Sequence, residues 1–215
     1  MNFKYRQSRI KLGDEEFLKT IGISIIHLIL LFTAVIAIIL FRNDGFLKDS
    51  ELKLFWGLSF IISITYISIK SYLAREILSI KKQIKLNEYQ KALEKLNKIR
   101  TNIYKKQGKN NLLYKYTYVE LRSICYFEFL KLEYNNDFEN RLNKLYEEAL
   151  DLLHKMKLKE ERAYMYYNKA MMDEMIYKFN KSREYKIKAK KSYQKAIGLS
   201  ADQEFIKMAK KRLVA

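Results

Sequence analysis

From Lys19 to Arg42 the chain carries no charge between its two end residues, and Ile21 to Phe41 is a run of 21 nearly all aliphatic residues. At ~1.5 Å rise per residue a helix of that length covers the ~30 Å hydrocarbon core of a bilayer. A second apolar stretch, Leu54 to Ile69, has 16 residues, and Ser71 to Ala74 extends it to 21. Lys70 within it can snorkel its ammonium to the headgroups. Trp56 and Tyr72 stand near its two ends, where aromatic side chains suit the membrane interfaces. The connecting segment has a turn signal at Asp44-Gly45, and Asp49 or Ser50 as a cap for the second helix. A cleavable signal fits the first run poorly: the run is too long, and no small-x-small site follows Phe41. The pattern predicts a basic N-terminal segment over 1–19 and a transmembrane helical hairpin over 20–74, with spans about 21–41 and 54–74.

Beyond Ala74 the apolar positions recur at three and four, which predicts an all-α domain over 75–215. The period is interrupted at Asn87, Gln107–Asn110, Asn135-Asn136, Met156-Lys157 and Asn180–Ser182. Asn87 with Gln90, Asn136 with Glu139, and Ser200 with Gln203 have the spacing of a capping box or a variant of it. Gly108 and Gly198 can supply left-handed residues at helix ends. Between Gly57 and Gly108 there is no Gly or Pro, so a helix is expected to run from Leu54 to Leu86 without a linker. Tyr114 to Tyr118 alternates like a short strand, but its flanks are helical and it is assigned to a helix.

A repeat emerges when the second helices of successive pairs are aligned. Ala92, Leu96 and Ile99 are spaced four then three, as are Leu142, Tyr146 and Ala149, and Ala189, Tyr193 and Ala196. Ser123 and Ala170 each stand nineteen residues before such a triplet, as small residues that let paired helices approach. In these residues, in Asn87-Glu-Tyr-Gln-Lys-Ala92, and above all in Tyr166 to Ala170 with Tyr185 to Ala196, the chain resembles the tetratricopeptide repeat (TPR) family. The likeness covers about two thirds of the chain, with pairs longer than that family's ~34 residues. It implies about three helix pairs closed by a solvating helix from Ser200 to Val214. It further implies a concave groove that holds a protein or peptide partner, lined by the leading helix of the third unit with Arg162, Tyr166, Tyr167 and Asn168.

The chain has 42 Lys and Arg against 24 Asp and Glu, a net charge of +18. Five basic residues precede the first span, the connecting segment balances to zero, and Arg75 onward has 33 basic and 18 acidic residues. The positive-inside rule then places both termini in the cytoplasm. Arg75, Lys81, Lys82 and Lys85 follow the second span directly, where they suit anionic lipid headgroups. The excess of Lys, Asn, Tyr and Ile, with no Pro, is also what AT-rich codons produce, so the basicity alone does not identify a ligand. The single Cys125 excludes an internal disulfide and reads as core.

No enzymatic constellation is present. His27 lies within the first span and His154 near a helix C-terminus, without a second His or a Cys at ligand spacing, so neither a metal nor a cofactor is expected. Of the 17 tyrosines, 15 lie from Tyr72 onward among the lysines. Such a mixture also binds single-stranded nucleic acid, but Tyr89, Tyr146, Tyr185 and Tyr193 fall at packing positions between helices. Lys188, Lys191 and Lys195 share the opposite face of their helix, as a solvated or lipid-touching face. The expectation is a non-enzymatic, membrane-anchored scaffold or assembly factor whose partner is a protein, with an envelope machine such as a secretion apparatus or flagellar motor as host. A basic tail tethering nucleic acid or anionic lipid is the alternative, and stacked helix pairs leave an oligomer open.

Overall fold

The seams of alternating four and three become the spine of the domain. In the computed structural model the described residues are 5, 29, 32, 33, 61, 64, 65, 72–105 and 111–214. They contain a helix α1 over 72–85, followed by α2 (Tyr89–Lys105), α3 (Asn111–Leu132), α4 (Asn136–Lys155), α5 (Lys159–Asn180), α6 (Arg183–Leu199) and α7 (Gln203–Val214). No strand occurs among the described residues, and Tyr114 to Tyr118 is helical. The chain divides into one unit of 1–12 with 79–215 and another of 13–78.

In the larger unit each helix packs on the next along the chain, most extensively within the pairs α3/α4 and α5/α6. That nearest-neighbour order is the signature of a helical-repeat array. All nine residues of the three aligned triplets are buried: Ala92, Leu96 and Ile99 on α2, Leu142, Tyr146 and Ala149 on α4, Ala189, Tyr193 and Ala196 on α6. Ser123 and Ala170 are fully buried as well. α2, α4 and α6 hide one stripe and present the other face to water, whereas α3 and α5 are buried nearly all round. A helix enclosed on several sides has no need of amphipathic spacing, which explains why α3 and α5 read as mixed polar and apolar sequence. Ile80 and Ile84 of α1 are buried and Lys95 of α2 donates to Ser79 Oγ at 2.6 Å, while Leu86, just past the end of α1, is 60% exposed.

The helix ends depart from the spacing-based expectation in three places. Asn87 does not begin α2; it takes a left-handed conformation (φ 59°) after α1, which Asn tolerates without a Cβ clash as severe as for other residues. α4 is capped one residue early, by Asn135 Oδ1 accepting from the Asp137 N–H at 2.8 Å. α7 is capped by Asp202, whose Oδ1 accepts from the Phe205 N–H at 3.1 Å. Ser200 instead donates to Glu160 Oε2 at 2.7 Å, and the Ala201 N–H donates to Oε1 of the same carboxylate, tying the α6–α7 turn to the start of α5. Gly198 lies inside α6 and plays no part in ending it, since Ser200 is extended. Lys157 and Lys181 take the left-handed positions at the ends of α4 and α5. Gly108 lies outside the described residues.

Among the described residues no helix is long and apolar enough to cross a membrane. The spans expected over 21–41 and 54–74, together with His27, fall largely outside those residues. The described positions within them, Ile29, Phe32, Thr33, Ile61, Ile64, Thr65, Tyr72, Leu73 and Ala74, are all helical, and Ala74 is buried. Ile29, Phe32, Ile61 and Ile64 are exposed, and Thr33 and Thr65 each donate to the carbonyl four residues back, at 2.7 and 2.8 Å.

Candidate functional site

Glu120, Ser123 and Phe127 follow one another at three and four, so they share one face of α3. Met165 and Asn168 do the same on α5, three apart. Between these two faces sits Tyr5, a non-helical residue 6% exposed. Its ring meets Phe127 edge-on, with centroids 5.3 Å apart and planes at 78°. Its hydroxyl donates to Met165 Sδ at 3.8 Å, with the polar side chains of Asn168 and Ser123 close by. Ser123 is held in place by donating to the Val119 carbonyl at 2.9 Å.

The pocket is buried and carries carboxyl groups. Burial, reinforced by the nearby Glu120 carboxylate, holds the Tyr5 phenol well above its ordinary value, so it remains a neutral hydroxyl at any physiological pH. Glu120 accepts in turn from Tyr116 at 3.3 Å. Tyr146 of α4, fully buried, is raised in the same way by burial and by Tyr5 and Asp173. Asp173, 2% exposed on α5, has one carboxylate oxygen without a hydrogen-bond partner, and burial pushes its pKa up to about 7 despite Lys169 and Lys188 nearby.

Of the groove residues expected from the sequence, Asn168 is the one against Tyr5. Tyr167 is buried on another side of α5, edge-on to Tyr193 at 5.4 Å and beside Phe205 at 5.5 Å. Tyr166 is half-buried with Lys195 Nζ 5.3 Å above its ring. Both hold α5 to the helices behind it. Arg162 is half-buried, and its Nε has no hydrogen-bond partner. Phe127, Met165 and Ser123 enter the site without having been singled out for it, and Tyr5 was indistinguishable in sequence from any residue of a basic tail. Arg75 in the smaller unit is exposed; Lys82 and Lys85 in the larger are exposed and Lys81 is half-buried.

A second, solvent-open cleft of ≈ 370 Å³ lies between α2 and α4 across α3, lined by Leu93, Asn97, Tyr126, Phe138 and Arg141 among others. Burial favours the neutral phenol of Tyr126, but Arg122 and Arg141, donating to its oxygen at 3.5 and 3.3 Å, outweigh that and lower its pKa. Cys125 is fully buried and its thiol is pushed up to about 12, chiefly by burial, which makes it a poor nucleophile. His154 is exposed at the end of α4. No group of three or more His, Cys, Asp or Glu among the described residues has the arrangement to hold a metal ion.

No protein-family model, curated protein or solved structure matches this chain.

Proposed function

We propose that this protein is a membrane-anchored scaffold or assembly factor, whose TPR-like helical array holds a protein partner on the face shared by α3 and α5. The observation that carries this reading is the seat of Tyr5: a side chain from outside the helical array is held between two inner helices, as a bound peptide would be. The sequential packing and the three buried triplets support the likeness to TPR proteins. Arrays of this kind bind through an extended surface and carry no chemistry of their own.

Two observations support the membrane anchor. Ile29, Phe32, Ile61 and Ile64 of the expected spans are helical with exposed side chains, and the hydroxyls of Thr33 and Thr65 are satisfied within the helix, as hydrocarbon surroundings require. Tyr5 and the helices from Ser79 onward belong to one unit, which demands an even number of crossings between them. A two-span hairpin with both ends in the cytoplasm meets that demand, with Arg75, Lys81, Lys82 and Lys85 at the headgroups and an envelope machine as host.

Topology is tested with cysteines placed singly at Phe46 and Ser200 in a Cys125→Ser background. An impermeant thiol reagent applied to intact cells labels position 46 and spares position 200; the reverse pattern puts the helical array outside.

The alternative, a basic tether for nucleic acid, is less well supported, because Tyr114, Tyr116, Tyr118, Tyr126, Tyr146, Tyr164, Tyr167 and Tyr193 are buried and offer bases no ring face. The two readings separate on salt. The full chain, extracted in mild detergent, retains a protein at both 50 and 200 mM salt, and nuclease leaves it bound. A roughly thousandfold loss over that range, as expected for several phosphate contacts, would favour the tether.

A further inference from the structure

Tyr5 lies 160 positions from Met165 and joins the helices of its unit only through residues 13–78. It belongs to no helix, and it is flanked in sequence by Lys4 and Arg6, with Arg9 and Lys11 beyond. Its pocket has the complementary chemistry: an aromatic edge from Phe127, neutral polar groups on Asn168 and Ser123, and the carboxylate of Glu120 close by. We propose that this pocket is a binding site for a tyrosine carried between basic residues. The chain's own Tyr5 fills the site in cis, and a partner segment that carries a tyrosine between basic residues enters by displacing it.

The proposal rests on the scaffold function and adds to it what the partner presents and what stands in its way. A resident ligand on a tether competes at an effective concentration set by that tether, so a segment arriving in trans binds weakly until the resident leaves. The ring is held by edge-on packing and by neutral contacts, with a thioether as one acceptor, so its departure breaks no ion pair. Discrimination comes from the hydroxyl. A phosphate there would bring about two negative charges next to Glu120 in a buried site. The site therefore takes the unmodified phenol and rejects the phosphorylated one.

The test uses the full chain in detergent and a fluorescent synthetic peptide of residues 1–12, with binding read by anisotropy. The wild-type protein binds the peptide weakly, and Tyr5→Ala binds it at least tenfold more tightly. Tyr5→Phe, which keeps the ring on Phe127 and with it the packing of the domain, gives an intermediate gain. Adding Asn168→Ala to Tyr5→Ala abolishes the gain. Peptides with Ala or phosphotyrosine at position 5 bind at least tenfold more weakly than the unmodified one. Equal binding to wild type, Tyr5→Ala and Tyr5→Phe, or equal binding of the Ala peptide, overturns the proposal. A protein partner still retained in that case leaves the scaffold function standing. Peptide exchange with no retained partner removes the scaffold and leaves the pocket.

Discussion

Arginine in place of Ala189 unfolds the last helix pair. Ala189 is 4% exposed on α6, in the seam with Tyr193 and Ala196 where the α5/α6 contact is the most extensive of the array. A methyl group there leaves no volume for a guanidinium, and forcing one in costs about 1–3 kcal/mol in overpacking alone. The charge is the larger part, since an uncompensated buried ion costs roughly 3–5 kcal/mol. Together these reach the whole stability of a small domain, about 5–15 kcal/mol. An array of nearest-neighbour contacts localises the damage: α5, α6 and α7 lose protection from hydrogen exchange, while α2 to α4 keep much of theirs. Lys190→Arg, one residue further on and exposed, shifts stability by no more than about 0.5 kcal/mol. An Ala189→Arg chain with wild-type helicity and exchange would show that the seam is not closed at this point.

The second large effect is a change in how stability depends on pH. Asp173 in the folded chain holds its proton up to about pH 7, against an ordinary value of 3.8, chiefly because burial disfavours the carboxylate. Glu139 adds to the rise, and Lys169 and Lys188 only partly oppose it. The unfolded chain releases that proton near pH 4 and the folded chain does not. The folded state is therefore most favoured below pH 4, loses ground as pH climbs toward 7, and changes little from this source above it. At ~1.4 kcal/mol per pH unit the loss comes to about 4 kcal/mol. Asp173→Asn removes the titration, so its stability relative to wild type rises by that amount between pH 4 and pH 8. Other titrating groups cancel in the comparison. Chemical denaturation of both proteins at the two pH values measures the difference, and parallel profiles would mean that the carboxylate is satisfied when charged.

The helical architecture was legible because its signal is periodic. The triplets at 92, 142 and 189 are buried to the last residue, and breaks expected at Asn87, Asn135-Asn136, Met156-Lys157 and Asn180–Ser182 fall at helix boundaries. The ends of helices were harder to read, for a local reason. Several residues compete for one orphan N–H, and spacing cannot tell whether Asn135 or Asn136 wins, nor that Asp202 rather than Ser200 caps α7. Lys157 and Lys181 in left-handed backbone carry no compositional mark at all. For the site, Asn168 was visible through its position in a repeat, whereas Phe127 and Met165 looked like ordinary core. Tyr5 could not be found by any local rule, because its partners lie at the far end of the chain and nothing near it announces a pocket.

That long separation has a consequence for synthesis. Tyr5 leaves the ribosome well before its seat is complete, since the α5 wall of that seat is made 160 residues later. At about 5–20 residues per second the N-terminal segment waits roughly 8–30 s before it can be seated. During that time its tyrosine and basic neighbours are open to whatever else is near, and the inner face of α3 emerges before its occupant has a place to go. Seating can thus take place only after α3 and α5 have both been made.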